Sequence, residues 1–168
     1  MTSTEQNGFA ALGARPETVE ALAASGITQP FPIQSMTLQI AMGGHDLIGQ
    51  AKTGTGKTLG FGVPLLQQVV GPGEPGWAGH EAPGKPQALV VVPTRELCVQ
   101  VTGDLAMAGK TRGIRVTPIY GGRAFEPQLE ALKKGVEVVV GTPGRLLDLA
   151  RQGHLNLGQV DVLVLDEA

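Results

Sequence analysis

The sequence predicts an α/β fold built on a mostly parallel β-sheet with helices on both faces. Short Val- and Leu-rich runs recur along the chain, and helix-compatible segments separate them. Runs that are apolar without alternation are typical of strands covered on both faces, and intervening helices are the usual crossovers of a parallel sheet. A glycine-rich loop between an apolar run and a helix-compatible segment is the third indication.

Two helices are predicted before the first strand. Pro16 can open a helix over residues 16–25, which Gly26 would end, and a second helix over 33–42 is followed by two glycines. The predicted strands then follow in the order 47–48, 88–92, 116–120, 136–140 and 160–165. Thr142 and Pro143 predict the start of a helix to about residue 152, with free N–H groups at Gly144 and Arg145.

Residues 71–86 predict a surface loop, because their proline and glycine density excludes a helix or a central strand. Trp77 within this loop is expected to pack back onto its own domain. Cys98 is the single cysteine, which excludes an internal disulfide and predicts a buried, apolar role.

Composition limits the class of protein. With 168 residues and 42% hydrophobic content, the chain fits one domain with a substantial core. No apolar run approaches the roughly 20 residues of a membrane span, and the N-terminus lacks a signal-like segment, so we expect a cytoplasmic protein without membrane contact. The net charge of −2 is not a basic footprint. A nucleic-acid site would therefore be local, made of helix N-termini, backbone amides and a few arginines.

Residues 51–58, with the sequence AKTGTGKT, predict a phosphate-binding loop. Glycines allow backbone N–H groups to surround a phosphate, and the following helix presents its N-terminus. Lys57 can reach the β- and γ-phosphates, and Thr58 can bind Mg²⁺. The strict pattern begins with glycine, whereas this loop begins with Ala51.

Two further features are consistent with a nucleoside triphosphate. The strand predicted over 160–165 ends in Asp166 and Glu167, where ATPases of this kind place a Mg²⁺-facing aspartate and a water-activating carboxylate. Upstream of the loop, the amide of Gln34 could pair with N6 and N7 of adenine, which guanine cannot reciprocate. These residues together favour ATP.

The chain resembles the N-terminal RecA-like domain of the DEAD-box ATP-dependent RNA helicases from residue 9 to residue 168. The resemblance rests on motifs in the family's order: Phe9 with residues 26–34 (Q motif), 51–58 (motif I), 93–97 (motif Ia), Gly121 with Gly122 (the glycine doublet), 142–145 (motif Ib) and 166–168 (motif II).

The resemblance implies ATP and Mg²⁺ as cofactors. The implied nucleotide contacts are Phe9, Ile27, Gln34, Thr53, Gly54, Thr55, Gly56, Lys57 and Thr58. The implied catalytic residues are Lys57, Asp166 and Glu167, and Thr58 and Asp166 would position the metal ion. Two positions depart from the family pattern: Ile27 stands where an aromatic residue is common, and Phe31 stands where a small polar residue is common.

The resemblance also implies RNA binding through the sugar-phosphate backbone, without base specificity. The implied RNA contacts are Pro93, Thr94, Arg95, Gly121, Gly122, Thr142, Pro143, Gly144 and Arg145. In the intact protein, ATP hydrolysis would be coupled to RNA unwinding or remodelling.

The expected organisation is an N-terminal region over 1–44 and a RecA-like core over 45–168, together one domain. We expect the chain to end inside motif II, with its sheet incomplete at the C-terminus and without the family's second RecA-like domain. Two alternatives remain open at this point: a nucleotide- or RNA-binding module without turnover, and a related DNA helicase or translocase.

Overall fold

The computed structural model describes residues 7–50, 56–79 and 83–167, and these contain a parallel β-sheet. Its strands are β1 (Ala88–Val91), β2 (Val116–Ile119), β3 (Val138–Gly141) and β4 (Val162–Leu165), arranged in the order β2-β3-β1-β4. All three strand pairings are parallel. The predicted α/β class with a parallel sheet is confirmed.

Helices precede the sheet and connect its strands. They are α1 (Gly8–Ala11), α2 (Pro16–Ala24), α3 (Pro32–Met42), α4 (Lys57–Gln68), α5 (Arg95–Ala108), α6 (Phe125–Lys134) and α7 (Pro143–Arg151). Proline at the first helical position opens α2, α3 and α7, since its missing N–H would be unpaired there in any case. The helices predicted over 16–25, 33–42 and 142–152 are confirmed within one or two residues.

Successive strand residues point to opposite faces, and each face has its own hydrophobic cluster. On the first face, Val90 and Val140 pack with buried residues of α2 to α5, such as Leu66. On the second face, Leu89 and Val139 pack with buried residues of α6 and α7. The sheet therefore carries helices on both faces, as predicted.

Among the described residues, the covering of both faces that the apolar runs predict is absent at β4, one face of which is exposed. Leu163 and Leu165 pair in register with Leu89 and Val91 and share their face, yet they are 59% and 62% exposed. The second-face cluster lies over β1, β2 and β3, and β4 is at the end of the strand order. An apolar run shows that a strand can be buried, but not whether a helix covers it.

The strand predicted over 47–48 is also wrong, because the structure has no regular secondary structure at residues 45–50. Leu47 is partly exposed and Ile48 is fully exposed. A strand needs a neighbour that pairs with its N–H and C=O groups. Within the described ranges, no strand lies beside this segment.

Residues 71–79 and 83–86 form a loop, as predicted, with one 3₁₀ turn at Trp77–Gly79. The ring of Trp77 lies 5.4 Å from the guanidinium carbon of Arg115, so this side chain contacts its own domain as expected. Cys98 is fully buried, and its thiol donates to the carbonyl oxygen of Val140. Burial raises the pKa of the Cys98 thiol, in agreement with a structural role.

Glu74 anchors the same loop to the domain. Its carboxylate accepts hydrogen bonds at 2.7 Å from Nε and Nη2 of Arg112, and Arg15 lies 3.4 Å away. The Arg112 side chain is buried and also donates to the carbonyl oxygens of Leu66 and Val69. The hydrogen bonds that the Glu74 carboxylate accepts, led by those from Arg112, lower the pKa of Glu74 to about 2. A charged pair inside the fold thus fixes the loop against α4.

No helix among the described residues is long and apolar enough to cross a membrane.

Candidate functional site

The predicted functional residues lie at one edge of the sheet. Because all strands are parallel, their carboxyl ends meet at the same edge, which is where ligands bind in open α/β sheets. Thr94 follows β1, Gly121 follows β2, Thr142 follows β3 and Asp166 follows β4. Along this edge, Asp166, predicted to serve the nucleotide, follows β4, and the residues predicted to contact RNA follow β1, β2 and β3.

A cavity of about 620 Å³ opens at the β4 side, between the starts of α3 and α4 and the side of α5. Among the residues lining it are Gln34, Lys57, Thr58, Asp166 and Glu167. The structure therefore brings together residues that are far apart in sequence and that were predicted to serve one nucleotide. Thr53, Gly54 and Thr55 lie outside the described residues.

Gly56 forms the turn that begins α4. Its φ of 77° lies in the left-handed region, where a side chain is strained. A Cβ at this position would also collide with Nε2 of Gln34 and approach Cδ2 of Phe31 to 2.6 Å. Gly56 is thus required both by its backbone angle and by close packing against the start of α3.

Lys57, the first residue of α4, forms an ion pair with Glu167. Nζ of Lys57 lies 2.8 Å from Oε1 of Glu167, and both side chains are partly exposed. The hydrogen bond that Lys57 donates to Glu167 raises the pKa of Lys57, and burial opposes that rise. The amine is therefore charged, as binding to a phosphate requires.

Asp166 lies at the end of β4 with its backbone fixed by the sheet. Its N–H donates to the carbonyl oxygen of Val91 at 3.0 Å. Burial raises the pKa of the Asp166 carboxyl, while the charge of Lys57 lowers it and that of Glu167 raises it further. Glu167 follows with a φ of 56°, which is uncommon for a residue with a side chain. Asp166 and Glu167 both line the cavity.

The side-chain amide of Gln34 is held at both ends. Its Oε1 accepts from the N–H of Phe31, and its Nε2 donates to the carbonyl oxygen of Gly56, each at 2.9 Å. The residue is only 2% exposed. In this arrangement Gln34 joins the start of α3 to the end of the phosphate loop. Its pairing with adenine remains a prediction, for which the amide oxygen keeps a second lone pair and the amide nitrogen a second N–H.

Phe9 and Ile27, both predicted to contact the nucleotide, differ in their access to the cavity. Ile27 lines the cavity and packs partly against the first-face cluster. Phe9 is fully buried in that cluster and does not line the cavity. The nucleotide contact predicted for Phe9 stays a prediction, and in this structure its ring packs in the same core as Ile27.

The residues predicted to contact RNA lie at the ends of β1, β2 and β3. Thr94 caps α5 by accepting from the N–H of Leu97, and Pro93 and Arg95 beside it are exposed. Gly122 has a φ of 76°, and a Cβ there would lie 2.9 Å from Nη1 of Arg95. The glycine doublet and Arg95 are thus neighbours in space.

The N-terminus of α7 lies in the same region. Thr142 is its N-cap residue but makes no side-chain capping hydrogen bond, and Pro143 and Gly144 are exposed. Arg145 lies 5.1 Å above the ring of Phe125 and donates to the carbonyl oxygen of Arg123. An exposed helix N-terminus and a held guanidinium form an anion-attracting surface.

Arg123 was not among the residues predicted from the sequence. Its guanidinium lies 5.6 Å from the ring centre of Tyr120, and the residue is exposed beside the glycine doublet. The signal was its position directly after Gly121 and Gly122. Arg95, Arg123 and Arg145 therefore place three cations at this edge of a chain with a net charge of −2.

Comparison with known proteins identifies a family and several relatives. The sequence model of the DEAD/DEAH box helicase family matches residues 31–168. The chain is 41% identical over 167 residues to the ATP-dependent RNA helicase RhlB of Proteus mirabilis. The match covers 99% of this chain and 38% of that protein. It is 47% identical over 160 residues to DEAD-box ATP-dependent RNA helicase 9 of Oryza sativa, covering 95% of this chain and 24% of the relative.

A third relative is the DEAD-box ATP-dependent RNA helicase CshA of Geobacillus kaustophilus, with 43% identity over 160 residues. That match covers 95% of this chain and 32% of the relative. The chain thus spans between about a quarter and two fifths of the length of these curated relatives.

Proposed function

The chain belongs to the DEAD/DEAH box helicase family, and we propose that it is the ATP-binding N-terminal domain of an ATP-dependent RNA helicase. The observation that carries this proposal is the shared cavity of Lys57, Thr58, Asp166 and Glu167, with Gln34 at its wall. In the intact protein, this site would couple ATP hydrolysis to RNA unwinding or remodelling.

Each cavity residue suits one part of the nucleotide. Lys57 is a cation at the N-terminus of α4, where the helix dipole and free backbone N–H groups also favour phosphate. Glu167 is the carboxylate that could orient and activate the attacking water once it leaves Lys57. Gln34 would contribute the preference for adenine.

Mg²⁺ fits the oxygen donors of this site. Thr58 and Asp166 line the cavity together, and a hydroxyl and a carboxylate are the hard ligands that this ion prefers. Within the described ranges, no group of three His, Cys, Asp or Glu could hold a metal ion. Mg²⁺ usually keeps several waters and binds one or two carboxylates together with phosphate oxygens. When bound, Mg²⁺ would neutralise charge that develops on the phosphates.

RNA would bind along the remaining strand ends. Arg95, Arg123 and Arg145 can fork onto phosphate oxygens, and the N-terminus of α7 adds unpaired N–H groups. Contacts of these kinds are made to the backbone, so the binding would be independent of base sequence. The absence of a broad positive field limits the affinity of this surface alone.

A binding module without turnover is the second candidate for the chain as it stands. The Lys57–Glu167 ion pair favours it, because the carboxylate that would activate water is occupied by the group that would hold phosphate. The curated relatives are much longer, and we propose that a second RecA-like domain in the intact protein supplies the arginines needed for hydrolysis. Such residues contribute about 10³ to 10⁵ in rate in related phosphoryl-transfer systems.

Phosphate release from ATP and Mg²⁺, measured with and without single-stranded RNA, separates these candidates. Release that RNA stimulates and that Glu167→Gln abolishes would establish hydrolysis by this chain alone. ATP binding without release supports the module. Stimulation by DNA but not by RNA would favour a related DNA helicase or translocase. The cytoplasmic location expected from the sequence remains a prediction.

A further inference from the structure

Phe31 is a large aromatic residue left half exposed in the wall of the nucleotide cavity. Its side chain is 56% exposed, although the surrounding elements form a well-packed core. Leaving such a ring in water forfeits the free energy that its burial would contribute. Its position in the cavity wall offers a reason for its exposure.

The backbone of Phe31 is held in place by its neighbours. Prolines precede and follow it, and it is the N-cap residue of α3 with extended dihedral angles. Its N–H donates to Oε1 of Gln34, whose Nε2 donates to the carbonyl oxygen of Gly56. One buried amide therefore sets the distance between the ring and the end of the phosphate loop.

The ring itself lies against Gly56. A Cβ on Gly56 would come within 2.6 Å of Cδ2 and 3.3 Å of Cε2 of Phe31, so the absence of a side chain at 56 makes room for the ring. Lys57 and Thr58 follow directly at the start of α4. A ligand whose phosphates lie on Lys57 and Thr58 would therefore have the aromatic ring beside it.

We infer that Phe31 is the aromatic contact for the base or ribose of the nucleotide, in a cavity where Ile27 offers no ring. This inference rests on the proposed binding of ATP. The other wall residues near Phe31 are Gly26, Ile27, Thr28 and Gln29, none of which has a π-face. Aromatic stacking is tolerant of base identity, so Phe31 contributes affinity, and the choice of adenine is left to hydrogen-bonding groups.

The test compares ATP with inorganic tripolyphosphate, which has the phosphates but no base. We expect Phe31→Ala to weaken ATP binding roughly 5- to 100-fold and to leave tripolyphosphate binding unchanged. Phe31→Tyr, which keeps the ring, should bind ATP within about threefold of the parent. Met36→Ala is the matched control, since Met36 is 63% exposed on α3 but does not line the cavity.

A second variant supplies the ring from the neighbouring position. Ile27→Phe introduced into Phe31→Ala should restore part of the lost ATP affinity, because residue 27 lines the same cavity. Equal losses for ATP and tripolyphosphate in Phe31→Ala would overturn the inference and show that the ring only supports Gly56. Unchanged ATP binding would also overturn it.

The failure of this inference can be distinguished from failure of the proposed function. Lys57→Ala should weaken both ATP and tripolyphosphate, because it removes a phosphate contact. If the parent binds both ligands in a Lys57-dependent way and Phe31→Ala has no selective effect, only the role of Phe31 is refuted. If the parent binds neither ligand, the nucleotide site is refuted together with the inference.

Discussion

Nζ of Lys57 and Oε1 of Glu167 are 2.8 Å apart, which joins the start of α4 to the residue after Asp166. The two groups have different expected tasks, since one would hold phosphate and the other would activate water. Their pairing means that a nucleotide must compete with Glu167 for Lys57. The ion pair is partly exposed, so this competition costs little, about 0 to 1 kcal/mol.

Glu167→Gln should therefore leave ATP binding at least as tight as in the parent. Removing the carboxylate frees Lys57 and removes a negative charge from the vicinity of the phosphates. We expect up to about fivefold tighter binding of ATP in a direct titration, following the small free energy of an exposed pair. Weaker binding by the variant would show that Glu167 assists the bound nucleotide and does not compete with it.

Gln34→Ala should narrow any preference for ATP over GTP, because it removes the side-chain amide near the cavity. The measurement is the ratio of the two dissociation constants, for which Gln39→Ala, an exposed glutamine change on the same helix, is the control. An unchanged ratio would show that Gln34 acts only through its bonds to Phe31 and Gly56.

The same substitution should also destabilise the fold. It leaves the N–H of Phe31 and the carbonyl oxygen of Gly56 without the partners that the structure gives them. We expect a loss of about 1 to 3 kcal/mol in the free energy of unfolding, measured with urea. An unfolding free energy equal to that of the parent would mean that water replaces both hydrogen bonds at no cost.

Glu74 should make stability depend on pH in the acid range. Its folded pKa of about 2 lies below its ordinary value of 4.5, so its contribution is complete above that value and is lost as the pH falls towards 2. The ionised carboxylate of Glu74, which is partly exposed, contributes about 2 to 3 kcal/mol to the free energy of unfolding.

Urea unfolding of the parent and of Glu74→Gln between pH 7 and pH 3 measures this dependence. The variant should be less stable at pH 7, since it leaves the buried charge of Arg112 without a counterion. The difference in unfolding free energy between the parent and the variant should become smaller as the pH falls below about 4.5. A constant gap over the whole range would refute the assigned pKa shift.

Arg145→Ala should weaken RNA binding to a similar extent for different RNA sequences. If Arg145 contacts phosphate, the slope of log affinity against log salt should fall by about 0.7 for single-stranded RNA. Arg145 lies over Phe125 at the start of α6, whereas Lys133 lies in the last turn of that helix. Lys133→Ala therefore removes a charge away from the proposed RNA site and should leave the slope unchanged. An equal effect of both variants would indicate general attraction in place of a site. Arg123→Ala is expected to act like Arg145→Ala.

The helices were predictable because particular residues mark their ends. Pro16 and Pro143 each occupy the first position of a helix, where the structure places them. The coverage of the strands was less predictable. Leu163 and Leu165 are as apolar as the buried strand residues, but their exposure depends on which elements lie over the edge of the sheet.

The residues of the nucleotide cavity were predictable because parallel strands end at one edge, which brings Asp166 close to Lys57. The hydrogen bonds between these residues could not be predicted from the sequence. The capture of Gln34 by Phe31 and Gly56 depends on one rotamer and one left-handed turn, which the sequence does not specify. The burial of Phe9 depends on how α1 packs into the core.

The most direct test of the account is the affinity of the chain for ATP with Mg²⁺, compared between the parent and Lys57→Ala. Lys110→Ala removes the same charge at an exposed position away from the cavity and is the control. We predict about 10- to 100-fold weaker binding for Lys57→Ala, the range of a lost charge-assisted hydrogen bond, and no change for the control. Equal affinities for the parent and Lys57→Ala would contradict it.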